Sequence, residues 1–188
     1  MIISIKNIFK SCSYFSIIFI MFYNISYSTD TFPNSIKKLK KETQIKYIPN
    51  ISFTNLANET LDLNKTLKKN ILIVNFWALW CSPCIKEMPV LKELSNKLDN
   101  TNSMILFINQ DNFKDYNRVD DFVEKLGISK NNVLMDFDMK SYKNFLLKGI
   151  PTTLIIDNKG KILWRIEGVI DWADQNLLEW LKTGAKKN

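Results

Sequence analysis

The hydrophobic pattern of the chain alternates between short continuous apolar runs and stretches with helical spacing. The runs at 71–76 and 103–109 are almost entirely apolar, which predicts strands buried on both faces. Between and after these runs, apolar positions recur every three or four residues, which predicts amphipathic helices. The helical positions are Ile85, Met88, Leu91, Leu94 and Leu98, then Val119, Phe122, Val123 and Leu126, then Tyr142, Phe145 and Leu146, and finally Leu177, Leu178 and Leu181.

Two predicted hairpins frame this alternation. The segments ISFTNL and TLDL lie on either side of residues 57–59 and predict the first hairpin. Residues 152–157 and 161–166 flank Asp-Asn-Lys-Gly, so Gly160 is expected at a positive φ in the second hairpin. Residues 133–136 predict one further short strand. The predicted fold class is therefore α/β, with a mixed central sheet flanked by helices and an added N-terminal β-hairpin.

Residues 1–28 have the pattern of an export signal. Lys6 and Lys10 precede an uncharged apolar run at 14–23, and small residues follow just before residue 29, where cleavage is expected. The run is short for a membrane-spanning helix, which needs about 20 residues. An uncleaved anchor is nevertheless the alternative to a cleaved signal peptide.

The chain after residue 28 divides into a tether and one domain. Residues 29–47 are polar and Lys-rich, which predicts a tether, and residues 48–188 predict a single globular domain. An exported protein of this kind would be periplasmic, either soluble or tethered to the outer face of the cytoplasmic membrane. It would contact the membrane only through an uncleaved N-terminal segment. Cys12 would be lost with the signal, which leaves Cys81 and Cys84 in an oxidising compartment.

The composition excludes several classes of chemistry. The 188 residues include no histidine, which excludes Ser-His and Cys-His catalysis and His-ligated zinc. The formal net charge of +7 comes from scattered basic residues, without an Arg-rich stripe or an aromatic nucleic-acid motif. We therefore expect a solvated basic surface and no nucleic-acid partner.

The Cys-x-x-Cys pair lies where the first buried strand is expected to meet a helix. Cys81 would occupy the helix N-terminus, where unpaired N–H groups and the helix dipole stabilise a thiolate. Cys84 would lie one turn further on and attack Cys81 to release a reduced substrate. Pro83 would set φ for the first helical turn. A disulfide across so short a spacer adds little stability, so a purely structural role is disfavoured, and the redox cycle requires no cofactor.

This part of the sequence resembles the thioredoxin superfamily, and in its details the exported TlpA/ResA-like branch of that superfamily. The resemblance spans about Ile48 to Lys182. It rests on Trp-Cys-Ser-Pro-Cys after Asn-Phe-Trp, on Gly-Ile-Pro-Thr at 149–152 and on Gly-Val-Ile-Asp-Trp at 168–172. It implies a thioredoxin-like fold, with Pro151 as the cis-proline that faces the two cysteines. Ile150 would then offer its backbone N–H and C=O to an extended substrate segment.

The resemblance also assigns roles to positions around the cysteines. Trp80 would flank the nucleophile as a substrate contact, with ordinary packing as the alternative. Ser82 and Pro83 would form the spacer between the cysteines, and Pro89 would kink the helix. None of these positions is expected to bind a metal.

Two acidic or amide positions shape the expected proton chemistry. Asn75 stands where cytosolic thioredoxins carry a buried Asp, so that route for deprotonating the second cysteine is missing. Glu87 matches a Glu near the site in the ResA-like branch and lies on the same helix face as Cys84. We expect Glu87 to tune the thiol pKa values and to relay the proton of Cys84, with a solvated helix Glu as the alternative.

These observations predict an exported thiol-disulfide oxidoreductase that reduces disulfides in specific envelope proteins. In the branch that it resembles, typical substrates are apocytochrome c and copper-site cysteines, and a membrane thiol-electron transporter supplies the electrons. A thiol oxidase of the same fold stays open because the spacer does not set the direction. A Cu(I)-binding module that uses both cysteines and Met88 is the alternative from another class. A peroxidase is disfavoured because Leu79 and Trp80 precede Cys81, in place of Pro and Thr or Ser.

Overall fold

The computed structural model describes residues 40–44, 47–67, 71–183 and 185. The expected signal segment 1–28 and most of the expected tether lie outside the described residues. The strands are β1 (Lys40–Lys41), β2 (Ser52–Asn55), β3 (Thr60–Asp62), β4 (Ile71–Trp77), β5 (Ser103–Asn109), β6 (Val133–Met135), β7 (Thr152–Asp157) and β8 (Ile162–Glu167). The helices are α1 (Ser82–Leu98), α2 (Tyr116–Lys125), α3 (Lys140–Asn144) and α4 (Gln175–Lys182). Across these ranges, no helix is long and apolar enough to cross a membrane.

The described strands form one mixed sheet in the order β1-β8-β7-β4-β5-β6-β2-β3. The central strands β4, β5 and β6 are parallel, because α1 and α2 return the chain between them. Every other neighbouring pair is antiparallel. The predicted mixed sheet flanked by helices is therefore confirmed.

The two faces of β4 bury different halves of the core. Every residue of β4 is buried, and successive side chains point to opposite faces of the sheet. Ile71, Ile73 and Trp77 pack with α1, α2 and α4, while Leu72, Val74 and Phe76 pack on the other face. Each fully buried side chain of this size contributes about 1.5–3 kcal/mol of hydrophobic stabilisation. By the same alternation, Asn75 lies on the face of β4 that packs against α1, so this part of the core contains a polar side chain.

Both predicted hairpins are confirmed. Strand β2 pairs with β3 and also with β6, so the N-terminal hairpin extends the sheet at one edge. Strands β7 and β8 pair through the second hairpin, and Gly160 in its turn has a φ of +78°. A Cβ at Gly160 would lie 3.1 Å from the Leu67 side chain, so glycine is favoured there by its positive φ and by this tight contact.

Strand β1 at the opposite edge was not predicted. Lys40 pairs with Arg165 and Lys41 pairs with Trp164, so the sheet reaches into the segment expected to be a tether. Glu42 then forms a buried ion pair with the Arg165 side chain. Strand β1 pairs through its backbone groups, so its sequence needs no apolar pattern. The buried ion pair of Glu42 lies directly after the strand.

The third helix is shorter than its apolar positions indicate. It ends at Asn144, so Phe145 and Leu146 lie beyond it. Phe145 is buried beside Phe76, with ring centroids 5.2 Å apart, whereas Leu146 has a φ of +49° and is 47 % exposed. The expectation of a helix through Leu146 was wrong because the chain turns there toward β7.

Candidate active site

The two cysteines lie at the junction between β4 and α1. Strand β4 ends at Trp77, and the Cys81 N–H donates to the carbonyl of Ala78 at 3.1 Å in the turn that follows. Cys81 is the N-cap residue of α1, and its Sγ accepts a hydrogen bond of 3.3 Å from the Cys84 N–H. Cys81 and Cys84 form a disulfide bond, and both are buried, Cys81 at 5 % and Cys84 at 0 % exposure. The expected place of the pair at a helix N-terminus is confirmed.

The residues next to the cysteines form an exposed rim. Trp80 is 59 % exposed, so its ring is not part of the core. Ser82 and Pro83 are also exposed and form the first turn of α1. Pro89 lies inside the same helix, as expected, with its ring on the exposed side.

The peptide bond between Ile150 and Pro151 is cis, as the resemblance implied. Thr152, the next residue, pairs with Phe76 near the end of β4. The cis bond therefore lies near the C-terminal end of β4, where the segment with the cysteines begins. Ile150 is half-buried, and Pro151 is buried.

Glu87 is a buried carboxyl group, with an exposed fraction of 4 %. Its Oε1 accepts a hydrogen bond of 3.1 Å from Asn75 Nδ2, and its Oε2 accepts one of 3.0 Å from Trp172 Nε1. Burial raises the pKa of Glu87 above its ordinary value of 4.5, and the bonds from Trp172 and Asn75 counteract part of that rise. The alternative of a solvated helix Glu is therefore wrong.

Asn75 connects three elements around Glu87. Its Nδ2 donates to Glu87 on α1 and, at 2.9 Å, to Oγ1 of Thr153 on β7. Its Oδ1 is buried without a hydrogen-bond partner. An amide can donate these two bonds, whereas an ionised Asp could donate neither, so the amide suits a carboxylate neighbour.

A cavity of about 240 Å³ is lined in part by Glu87. It lies between α1 and the segment that follows β8 and is lined mainly by apolar side chains. Its lining includes Pro83, Glu87, Val90, Val169, Ile170 and Trp172. A space of this size holds several water molecules, so water in the cavity would lie next to Glu87.

Two residues of this site were not assigned roles from the sequence. Trp172 belongs to the segment at 168–172 that carried part of the resemblance. Its contact with Glu87 could not be predicted because the two residues are far apart along the chain. Asp111 is buried, and its Oδ2 accepts bonds from the Leu79 N–H at 2.7 Å and from Asn109 Nδ2 at 2.8 Å. An acidic residue just after a buried parallel strand was the available signal for Asp111.

Met88, the suggested third ligand for Cu(I), is fully buried and packs in the core cluster beneath α1. Its side chain is therefore explained by packing. Within the described part of the chain, no three His, Cys, Asp or Glu side chains lie close enough together to bind a metal ion.

Residues 45–165 match the family model for the AhpC/TSA family, which is more than half of the chain. The chain belongs to the AhpC/TSA family. Its curated relatives include the thiol-disulfide oxidoreductase ResA of Bacillus thuringiensis strain Al Hakam, which is 34 % identical over 130 residues. That alignment covers 69 % of this chain and 73 % of the relative. The thioredoxin-like protein YneN of Bacillus subtilis is 30 % identical over 132 residues, which cover 65 % of this chain and 72 % of YneN.

Solved structures with the same fold include thioredoxin-family proteins of low sequence identity. A thiol:disulfide interchange protein from Chlorobium tepidum has a TM-score of 0.62 at 22 % identity and covers 75 % of this chain and 98 % of its own. A secreted thiol-disulfide isomerase from Corynebacterium glutamicum has a TM-score of 0.65 at 17 % identity, covering 80 % of this chain and 93 % of its own. The thioredoxin-like fold is thus confirmed. The similarity to ResA, at 34 % identity over more than two thirds of both chains, makes this AhpC/TSA family member a thiol-disulfide redox protein.

Proposed function

We propose that this protein is an exported thiol-disulfide oxidoreductase that reduces disulfides in envelope proteins. The observation that carries the proposal is the disulfide between Cys81 and Cys84 at the N-terminus of α1, with the buried Glu87 in the same helix. A dithiol pair at this place is suited to exchange because the helix N-terminus stabilises a thiolate at its first position.

The first step is attack by the reduced protein on its substrate. The Cys81 thiolate attacks one sulfur of the substrate disulfide, the substrate S–S bond breaks, and the second substrate sulfur leaves as a thiolate. Cys81 and the substrate are then joined by a mixed disulfide. The exposed Trp80 and the backbone of Ile150 beside Pro151 would contact the substrate segment at this stage.

The second step releases the substrate. Cys84 loses its proton and attacks Sγ of Cys81, and the remaining substrate sulfur leaves as a thiolate. The products are a substrate dithiol and the Cys81–Cys84 disulfide, so two electrons have passed to the substrate. Glu87 is suited to take the proton, since it lies one turn beyond Cys84 and lines a cavity of a size that holds water.

The oxidised pair must be reduced again for each new cycle. In the oxidising compartment that export implies, a membrane thiol-electron transporter is the class of partner that would supply these electrons. Export itself is supported by the sequence pattern of residues 1–28. Envelope proteins with a reducible disulfide, such as apocytochrome c or proteins with copper-site cysteines, are the proposed substrates.

The reduction potential of the Cys81–Cys84 pair tests the direction of electron flow. The purified protein is equilibrated against glutathione and dithiothreitol buffers, and the reduced fraction is measured by thiol alkylation. We expect a value near or below about −270 mV, as in thioredoxin. A value near about −120 mV, as in DsbA, would contradict the reductase proposal and identify a thiol oxidase with the same nucleophile.

A further inference from the structure

Three aromatic side chains follow the ends of three neighbouring parallel strands. Trp80 comes three residues after β4, Phe113 four residues after β5, and Phe137 two residues after β6. Because β4, β5 and β6 are parallel and adjacent, their carboxyl ends meet at one edge of the sheet. In open α/β sheets this edge is where ligands bind. We call Trp80, Phe113 and Phe137 the aromatic edge.

Two of the three rings of the aromatic edge are largely exposed. Phe113 is 73 % exposed and Trp80 is 59 % exposed. Phe137 is half-buried and packs against the core, and its ring meets the Phe113 ring edge to face, with centroids 5.2 Å apart. Phe113 thus rests on a fixed partner instead of extending freely into solvent. Aromatic residues are enriched at protein–protein interfaces relative to the rest of the protein surface.

Asp111 ties this edge to the segment that carries the cysteines. Its carboxylate accepts the Leu79 N–H at 2.7 Å, which fixes the loop after β5 against the loop after β4. Cys81 lies two residues from Leu79, and Phe113 lies two residues from Asp111. Since a residue spans at most about 3.6 Å of chain, the Cα atoms of Cys81 and Phe113 lie within about 7 Å of the Cα atoms of Leu79 and Asp111, respectively. Phe113 therefore lies at the same end of the sheet as the cysteine segment, on the β5–β6 side of it.

We propose that the aromatic edge is a docking surface for an apolar segment of the disulfide-bearing substrate protein. This inference rests on the proposed function, because its occupant is the substrate of the Cys81–Cys84 pair. Trp80 directly precedes Cys81, and the loop that carries Phe113 is hydrogen-bonded to the same segment through Asp111. Phe113 and Phe137 follow strands on the opposite side of β4 from β7 and the cis bond at Pro151. A substrate would thus be held on both sides of its disulfide. Met139, 41 % exposed in the loop after Phe137, adds an adaptable apolar contact.

Two synthetic peptides test the proposal. Both have the same length and net charge and one intramolecular disulfide; the apolar probe carries Leu and Phe beside its cysteines, and the polar probe carries Ser and Gln. The wild-type protein is expected to reduce the apolar probe with the higher kcat/KM. Phe113→Ala is expected to lower that value about tenfold, mainly through KM, because a truncated aromatic anchor commonly costs a factor of this order. Turnover of the polar probe and of hydroxyethyl disulfide should not change.

Tyr47→Ala is the matched control. Tyr47 is 59 % exposed and bridges to Lys161, next to the turn between β7 and β8 at the opposite end of the sheet. It is an aromatic truncation of comparable exposure outside the docking surface, so it should leave the preference for the apolar probe intact. An unchanged reduction potential in both variants shows that the cysteine pair is undisturbed.

The outcomes separate the two proposals. If the wild-type protein reduces neither hydroxyethyl disulfide nor the peptides, the proposed function itself fails. If it reduces both probes equally, or if Phe113→Ala keeps the preference for the apolar probe, the docking surface is overturned while the function stands. The docking surface would also be overturned if the wild-type protein were a dimer that Phe113→Ala dissociates without changing the preference for the apolar probe. The aromatic edge would then be a surface for self-association.

Discussion

The indole Nε1–H of Trp172 donates a hydrogen bond of 3.0 Å to Oε2 of Glu87 and thereby joins the segment after β8 to helix α1. Asn75 on β4 donates to the other carboxylate oxygen at 3.1 Å. Three separate elements therefore fix the orientation of one buried carboxyl group. Burial raises the pKa of Glu87 and the two bonds restrain that rise, so the group can exchange a proton without leaving its place.

Replacing Glu87 with Gln should slow the release of the substrate more than the first attack. Gln has no carboxylate to take the proton of Cys84, and loss of a positioned acid or base typically costs a factor of about 10² or more. The mixed disulfide at Cys81 should therefore accumulate in rapid-quench experiments with hydroxyethyl disulfide. Glu93→Gln, on an exposed part of the same helix, is the control. Release at the wild-type rate in Glu87→Gln would contradict the proton-relay role.

The pH dependence of stability should reveal the raised pKa of Glu87. Because the folded protein holds this proton more tightly than the unfolded chain, the free energy of unfolding falls as pH rises from about 4.5 through the raised folded pKa. Glu87→Gln removes this contribution, so the variant should gain stability relative to wild type as pH rises. Urea unfolding at several pH values measures the difference. A difference that does not vary with pH would show that the folded-state pKa is not raised.

Cys84→Ser should convert the protein into a trap for its substrates. Cys81 can still attack a disulfide, but no second thiol remains to release the product, so mixed disulfides persist. Cys81→Ser should abolish turnover, because Cys84 is fully buried and cannot replace it as the nucleophile. The adducts are read by non-reducing electrophoresis and mass spectrometry. Full multiple turnover in Cys84→Ser would mean that the two-cysteine cycle is wrong.

The sequence predicted the parts of the site that are close together along the chain. The spacing of Cys81, Cys84 and Glu87 on one predicted helix was enough to place them near each other, because helical periodicity is a local property. The position of Asn75 near the site was predicted from the strand that precedes this helix. The hydrogen bond from Asn75 to Glu87 could not be predicted, because it depends on which face of β4 packs against α1.

Contacts between distant segments could not be predicted in the same way. Trp172 is 85 residues from Glu87, and Asp111 is 32 residues from Leu79. A tryptophan after a strand or an aspartate after a strand has many possible partners until the strand order is known. Strand β1 was missed for a related reason, because an edge strand of two lysines has no apolar pattern.

Asp111 should stabilise the loop before Cys81 through hydrogen bonding and not through its charge. A single oxygen accepts both the Leu79 N–H and Asn109 Nδ2, so the carbonyl of an Asn side chain can keep both bonds. Asp111→Ala removes the acceptor of the partly buried Leu79 N–H and of the buried Asn109 Nδ2, and should lower the free energy of unfolding by about 2 kcal/mol. Asp111→Asn should lose less than about 1 kcal/mol and keep the wild-type rate of attack on hydroxyethyl disulfide. Equal losses in both variants would assign the effect to the charge.

The buried ion pair between Glu42 and Arg165 should anchor strand β1. Arg165 also donates from Nη2 to the Phe145 carbonyl at 2.9 Å, so its charge is held in place when Glu42 is removed. The Glu42 and Arg165 side chains are only 3 % and 9 % exposed, and breaking a buried pair by removing one partner typically costs about 3–5 kcal/mol. We therefore expect Glu42→Ala to lower the free energy of unfolding in urea by an amount in this range.

Two further variants separate this ion pair from surface charge effects. Lys40→Ala removes a Lys40–Glu167 pair whose lysine side chain is 71 % exposed, so it should cost less than about 1 kcal/mol. The double variant Glu42→Leu with Arg165→Met replaces both charges with apolar groups and should recover most of the loss, because no buried charge is left unpaired. A loss in Glu42→Ala as small as that in Lys40→Ala would show that β1 is not held by this pair.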